Sequence, residues 1–124
     1  MQFFTHYFLH LLFPLFISLV FFRPRWIKAY LILLATMIID MDHLLASPIF
    51  SANRCSIGFH PLHTSYAALV YAAGLLLPKW IRIVAIGLLL HLLTDLIDCL
   101  WMYQSCRECI ANQQVAQLLD WFSW

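Results

Sequence analysis

Four long apolar runs, each closed by proline or a knot of polar residues, constrain this chain more than any other feature. Phe3 to Phe22 ends at Arg23-Pro24-Arg25, and Trp26 to Ala46 ends at Ser47-Pro48. Pro61 to Leu77 ends at Pro78-Lys79, and Trp80 to Tyr103 gives way to Gln104-Ser105-Cys106-Arg107-Glu108. A hydrocarbon core of roughly 30 Å is crossed by about 20 residues rising 1.5 Å each. Runs at 3–22, 26–46, 61–77 and 80–103 therefore predict an all-α integral membrane bundle of four transmembrane helices, forming one domain over residues 1–124. Composition agrees. Of 124 residues 64% are hydrophobic and 10% charged, against about 25% charged in an ordinary soluble domain. A soluble chain this short could not hide so much apolar surface. The net charge of +1 offers no basic patch for nucleic acid.

The first run lacks a basic leader and a small-x-small cleavage site, and it carries His6 and His10. It is expected to stay as a helix rather than be removed as a signal peptide. Arg23, Arg25, Lys28, Lys79 and Arg82 lie at the two short hairpins, with only Arg54 and Arg107 on the opposite side. That bias predicts hairpins facing the cytoplasm and both termini outside. Trp26 and Trp80 would mark the inner interface and Trp101 the outer one. In the tail, residues 110–124, Val115, Leu118, Leu119 and Phe122 repeat at helical spacing. With Trp121 and Trp124 they predict a short helix lying in the outer interface.

The ionisable residues converge on this topology. His6 and His10 fall early in span one, Asp40, Asp42 and His43 late in span two, His60 and His63 at the start of span three. His91, Asp95 and Asp98 occupy the middle and outer half of span four. All ten lie at similar depth towards the outside. A carboxylate near the bilayer centre costs roughly 2.5–3.5 kcal/mol, so four unpaired ones would cost about 10 kcal/mol. Metal ions or protonated histidines must supply the missing positive charge. His6 and His10 are i,i+4, Asp40 and His43 are i,i+3, and His91, Asp95 and Asp98 form one stripe. Side chains so spaced sit about 5–6 Å apart at Cβ, suitable for a shared metal. Asp42 is rotated away from Asp40 and suits an outer role or a second metal. Imidazole with carboxylate suits zinc first, then iron or manganese, and ten candidates exceed the four ligands of one zinc. Pro14 removes the helical hydrogen bond to the carbonyl of His10 and should loosen the backbone there. The plainer reading is that such residues are polar glue between helices, and Thr36, Thr64, Ser65 and Thr94 read as packing hydroxyls. Glue accounts for one histidine more easily than for the whole set.

Cys55, Cys99, Cys106 and Cys109 all fall on the outer side, where disulfides form. Cys55 with Cys99 would tie the loop to span four, and Cys106 with Cys109 would close a small ring, but spacing alone leaves the pairing open.

Three segments carry a resemblance: Leu34-Ala35-Thr36-Met37-Ile38-Ile39-Asp40-Met41-Asp42-His43-Leu44-Leu45-Ala46, Asn53-Arg54-Cys55-Ser56-Ile57-Gly58-Phe59-His60-Pro61-Leu62-His63, and His91-x3-Asp95-x2-Asp98-Cys99. Over about residues 5–102 the chain resembles a small bacterial family of uncharacterised four-span membrane proteins. More distantly it is similar to the LexA-regulated membrane-bound metal-dependent hydrolases, which implies a metal site and hydrolysis. The broader family's His-Arg-Gly-x-Thr-His-Ser pattern stands here as His60-Pro61-Leu62-His63-Thr64-Ser65, so roles for Thr64 and Ser65 do not carry over.

The expected function is a metal-dependent hydrolase at the outer, periplasmic face of a bacterial inner membrane, with both termini periplasmic. One or two divalent metals, zinc before iron or manganese, would polarise a phosphoryl or acyl oxygen and activate a water. Asp42 or Asp98 would serve as general base. The partner would be membrane lipid, the substrate a lipid or lipid-linked phosphoester, and a homo-oligomer is compatible with the chain's size. Two other classes fit part of the pattern. A metal or proton carrier would need polar residues along the whole depth, yet the inner halves of the spans are hydrocarbon. A haem-binding electron carrier would use an axial pair such as His10 and His91, leaving four aspartates unexplained.

Overall fold

In a computed structural model the chain is described over residues 2–49, 54–110 and 115–122. The described residues form helices and connecting turns, with no strand. Helix α1 (Gln2–Tyr7) runs through a π-helical turn, Phe8–Leu12, into α2 (Phe13–Phe21). A short 3-10 turn, Arg23–Arg25, leads to α3 (Trp26–Ala35), which continues as a ten-residue 3-10 helix, Thr36–Leu45. A single 3-10 turn, Pro61–His63, precedes α4 (Ser65–Gly74). Then come the long α5 (Lys79–Ser105), α6 (Arg107–Ile110) and α7 (Ala116–Phe122).

Two helices are long and apolar enough to cross a membrane, Phe4–Phe21 and Lys79–Ser105. Only 17% of the first window is buried within the protein, so Phe4, Phe8, Phe16 and Phe21 present an apolar outer surface. The second expected span is helical over its length but changes type halfway. The third, expected over 61–77, is not one helix. Only Ser65–Gly74 is α-helical, about 15 Å long at 1.5 Å per residue, because the chain ahead of it turns inward to place His60 and His63. Thr64 caps α4, its hydroxyl accepting from the Ala67 N–H.

The α5 helix is the spine. Ile83, Gly87, His91, Asp95, Cys99 and Tyr103 recur every four residues and are all buried, the ridge by which one helix packs into the groove of another. Two positions, Gly87 on this spine and Gly74 on α4 packed against it, admit nothing larger than they hold. A Cβ on Gly87 would lie 2.5 Å from the Thr36 hydroxyl, and one on Gly74 would lie 2.9 Å from the Ala85 Cβ. Close backbone approach at small residues is how helices pack in a bilayer.

Burial is layered. At the end near the Arg23–Arg25 turn, Ala29, Leu33 and Ile83 form an apolar core. At the other end, Cys55, Cys99, Tyr103, Ile110, Val115 and Leu119 form a second. In the tail, Val115 and Leu119 are buried against the end of α5, while Trp121 stays exposed. The side chains of Leu118 and Phe122, and Trp124 altogether, lie outside the described residues. Arg107 donates to Asp120 and to the Tyr103 hydroxyl, and Tyr103 donates to Asp120, so this cluster pins α7 to the spine. Disulfides join Cys55 to Cys99 and Cys106 to Cys109.

Candidate metal centre

Between the two apolar cores lies a polar layer built from four parts of the chain. The 3-10 helix Thr36–Leu45 delivers Asp40, Asp42 and His43. At three residues per turn, positions three apart eclipse, and the buried residues of this stretch are Thr36, Ile39 and Asp42. That register turns Asp42 into the protein while Asp40 and His43 share the neighbouring face. Thr36 starts the tightening by donating to the Leu33 carbonyl at 2.6 Å. The inward loop brings Ser56, His60 and His63, α5 brings His91, Asp95 and Asp98, and the first helix brings His6 and His10.

Four of these converge on one point. His63 Nε2 lies 3.0 Å from Asp95 Oδ2 and 3.7 Å from Asp40 Oδ1. His91 Nε2 lies 3.1 Å from Asp40 Oδ1 and 3.7 Å from Asp95 Oδ2. All four donor atoms fall within 4.8 Å of one another. A tetrahedron with bonds of 2.0–2.1 Å to nitrogen and oxygen has edges of about 3.3 Å, which these distances bracket. His63 Nε2 and Asp95 Oδ2 are buried with no hydrogen-bond partner among the described residues, although they are close to each other. Misaligned for each other but aimed at a common centre, they fit a divalent cation. His63 then uses its other nitrogen: Nδ1 meets Asp42 Oδ2 at 3.1 Å, and the same oxygen accepts from the Leu62 N–H at 2.9 Å. A carboxylate behind a ligating imidazole fixes its tautomer and raises its basicity.

The remaining candidates are placed differently. Asp42, His43 and His60 form a second group close enough to share an ion. His43 Nδ1 lies 3.1 Å from Asp42 Oδ1, while His60 Nδ1 is 4.0 Å away. The His43 and His60 rings stack at 3.8 Å. His6 and His10 are absent from both groups. His6 pairs through Nδ1 with Asp98 Oδ2, which removes Asp98 from the tetrad too. His10, buried at the π-helical turn, lies 4.4 Å from the His6 ring and 4.6 Å from the His91 ring, centre to centre. The π-turn sits where Pro14 has no N–H to offer the His10 carbonyl; the Phe13 N–H reaches back to the Phe8 carbonyl. Axial imidazoles on one haem iron would stand with ring centres roughly 6 Å apart, given metal–nitrogen bonds of about 2 Å, so His10 and His91 are too close to hold one. Arg54 neutralises none of the aspartates. It donates to the Pro48 and Ile49 carbonyls and sits over the Phe59 ring.

A cavity of about 470 Å³ opens beside the tetrad. Asp40, Asp95, His6, Asp98, His43 and Ser56 supply its polar wall, and Leu44, Ile49 and Met102 an apolar one. Sequence reasoning passed over Ser56, whose hydroxyl lies 3.0 Å from His43 Nε2. Its only signal was its place in a dense stretch, Cys55-Ser56-Ile57-Gly58-Phe59-His60.

Residues 1–102 match the model of a family of unknown function, DUF6122. The chain belongs to that family. No curated protein and no solved structure matches it.

Proposed function

We propose that this DUF6122 member is a membrane-embedded, metal-dependent hydrolase that acts on a lipid or lipid-linked ester reaching the cavity from the outer half of the bilayer. The convergence of Asp40, His63, His91 and Asp95 on one point, at the edge of a cavity with an apolar wall, carries the reading. Two imidazoles and two carboxylates would hold zinc, iron or manganese. Such an ion supplies Lewis-acid polarisation of an ester oxygen and a more acidic bound water. The protein's own contribution is orientation. Asp42 holds the His63 ring, the 3-10 turn presents Asp40 to the cavity, and the His6–Asp98 pair faces the same space as a proton acceptor or donor.

A bilayer setting is supported by surface. Apolar residues stand exposed on every long segment: Phe16 and Phe21, Ile27 and Leu31, Ile38, Leu69 and Val70, Ile81. Residues 26–45 extend about 35 Å at 1.5 and 2.0 Å per residue, enough to cross although the helix type changes. The inward loop ahead of α4 is irregular backbone at bilayer depth, which is tolerated where protein buries it or a cavity borders it. Cys55 and His60 in that loop are buried. These features support a bundle of four spans with a shallow third, in which the charge bias favours Arg23, Arg25 and Lys79 inside and both disulfides outside.

The test is elemental analysis of detergent-purified protein beside a variant with both His91→Ala and Asp95→Ala, with both assayed on short and long nitrophenyl esters. One zinc, iron or manganese per chain, lost with hydrolysis in the variant, is the expected result. A gently purified wild type that holds no metal and takes none up on titration ends the hydrolase reading.

A further inference from the structure

We propose that Ser56, His43 and Asp42 form a nucleophilic triad, so that hydrolysis proceeds through a covalent seryl intermediate on a neutral carboxylic ester. The inference deepens the hydrolase reading and depends on it only for the substrate. Ser56 Oγ lies 3.0 Å from His43 Nε2, and His43 Nδ1 lies 3.1 Å from Asp42 Oδ1. Those are the contacts by which a carboxylate orients an imidazole and the imidazole takes a proton from a hydroxyl.

The surroundings fix the direction of each bond. Asp42 is buried at 4% exposure, and its Oδ2 is already held by the Leu62 N–H and His63. Oδ1 is left to accept from His43 Nδ1–H, which makes Nε2 the bare nitrogen and Ser56 the donor. Stacking on the His60 ring, at 3.8 Å and 23° between planes, keeps the imidazole in position. Asp40 Oδ1, 3.5 Å from the same Nδ1, adds a second carboxylate that favours the cation formed in reaction. With Nδ1 bonded to Asp42 and Nε2 accepting from Ser56, His43 has no nitrogen left for a metal, so the chain holds one metal rather than two.

Ser56 and His43 both face the cavity. The cavity wall carries Asp40, Asp95 and Asp98 but no lysine or arginine. With Asp40 and Asp95 holding the metal and Asp98 paired with His6, the wall has no lysine or arginine to meet the second charge of a phosphomonoester, whereas an uncharged ester needs none and its acyl chain can lie along Leu44, Ile49 and Met102. Ser56 Oγ would bond to the carbonyl carbon as its proton passes to His43 Nε2. The carbon–oxygen bond to the alcohol then breaks, and His43 gives that proton to the departing oxygen. A water repeats the sequence, losing its proton to His43 and restoring the Ser56 hydroxyl, to release the acid.

A fluorophosphonate probe reads the nucleophile without knowledge of the substrate. Metal-replete protein in detergent is expected to be labelled at Ser56, as located by mass spectrometry. Ser56→Ala should abolish labelling, and His43→Gln, which keeps a side chain able to bond both neighbours, should slow it at least 100-fold with melting temperature and metal content unchanged. Ser65→Ala, at an exposed position that opens α4 and lines no part of the cavity, should label normally. Nitrophenyl butyrate turnover should fall about 10³-fold in Ser56→Ala, with nitrophenyl phosphate not hydrolysed at all. Labelling elsewhere than Ser56, or equal rates in wild type and His43→Gln, overturns the triad. A protein that binds metal and hydrolyses esters yet fails to label at Ser56 retains the hydrolase and loses the triad. Labelling at Ser56 in a metal-free protein does the reverse.

Discussion

His63 spends its two nitrogens on different neighbours, Nε2 towards Asp40 and Asp95 and Nδ1 towards Asp42. That division predicts a graded response. His63→Ala removes a donor of the tetrad and should abolish stoichiometric metal binding. Asp42→Asn leaves all four donors in place but replaces an acceptor with an amide, and should weaken metal affinity about 10–100-fold. His6→Ala should keep one metal per chain, because His6 is bonded to Asp98 and stands outside the tetrad. Elemental analysis with a competing chelator separates the three variants. Metal lost equally in His6→Ala and His63→Ala would mean that the centre is not where the tetrad lies. The stripe of His91, Asp95 and Asp98 could be read directly from spacing, since α5 is a regular helix over 27 residues. The division of labour along it could not. Asp98 is turned to His6 by its neighbour across the bundle, which is a fact of packing and not of period.

The 3-10 stretch Thr36–Leu45 shows where period-based reading stops. An α-helical wheel puts Asp42 loosely away from Asp40, whereas the tighter screw aligns Thr36, Ile39 and Asp42 on the buried face. Ten residues of 3-10 helix are unusually long, and nothing in local propensity announces them. The contact that holds the stretch is steric. Gly87 lets Thr36 approach the spine so closely that an added Cβ would overlap its side chain. Gly87→Ala should therefore cost about 1–3 kcal/mol and also reduce metal occupancy, since it pushes Asp40 off His91. Gly74→Ala, tight against Ala85 but far from the site, should lower the melting temperature with metal retained. Thermal melts and metal content of the same two preparations decide it. The tail gives a separate element-level test. Hydrogen bonds from Tyr103 and then Arg107 hold the Asp120 carboxyl below the usual carboxylate range. A depressed folded value means that the docked tail is favoured above the ordinary carboxylate pKa, near 3.9, and released as pH falls through the lower folded value. Protease protection of α7 should be flat from pH 8 to 5 and fall only in stronger acid. A loss near pH 6 would point to a histidine instead.

Across the whole chain, four apolar runs revealed the helical class, but an apolar run need not be one helix. The run from Pro61 begins as a loop end, because its third residue, His63, and the Leu62 backbone N–H are committed to Asp42 in the polar layer. Chemistry and fold meet in that inward loop, which carries Ser56, His60 and His63 and is anchored to α5 by the Cys55–Cys99 disulfide. A crosslink spanning 44 residues stabilises by about 4 kcal/mol on loop-entropy grounds, and it ends one residue from Asp98. The Cys106–Cys109 link spans three and holds no residue of the site. Replacing Cys55 and Cys99 by serine should thus release His63 and Ser56 from the spine together, weakening metal binding at least tenfold while His91 and Asp95 remain on their helix. The same exchange at Cys106 and Cys109 should leave metal affinity within twofold of wild type. Chelator competition on both variants, with helicity followed by circular dichroism, checks the contrast. If the two pairs behave alike, the loop is held by its own packing of His60, His63 and Asp42, and the disulfide is not a support of the centre.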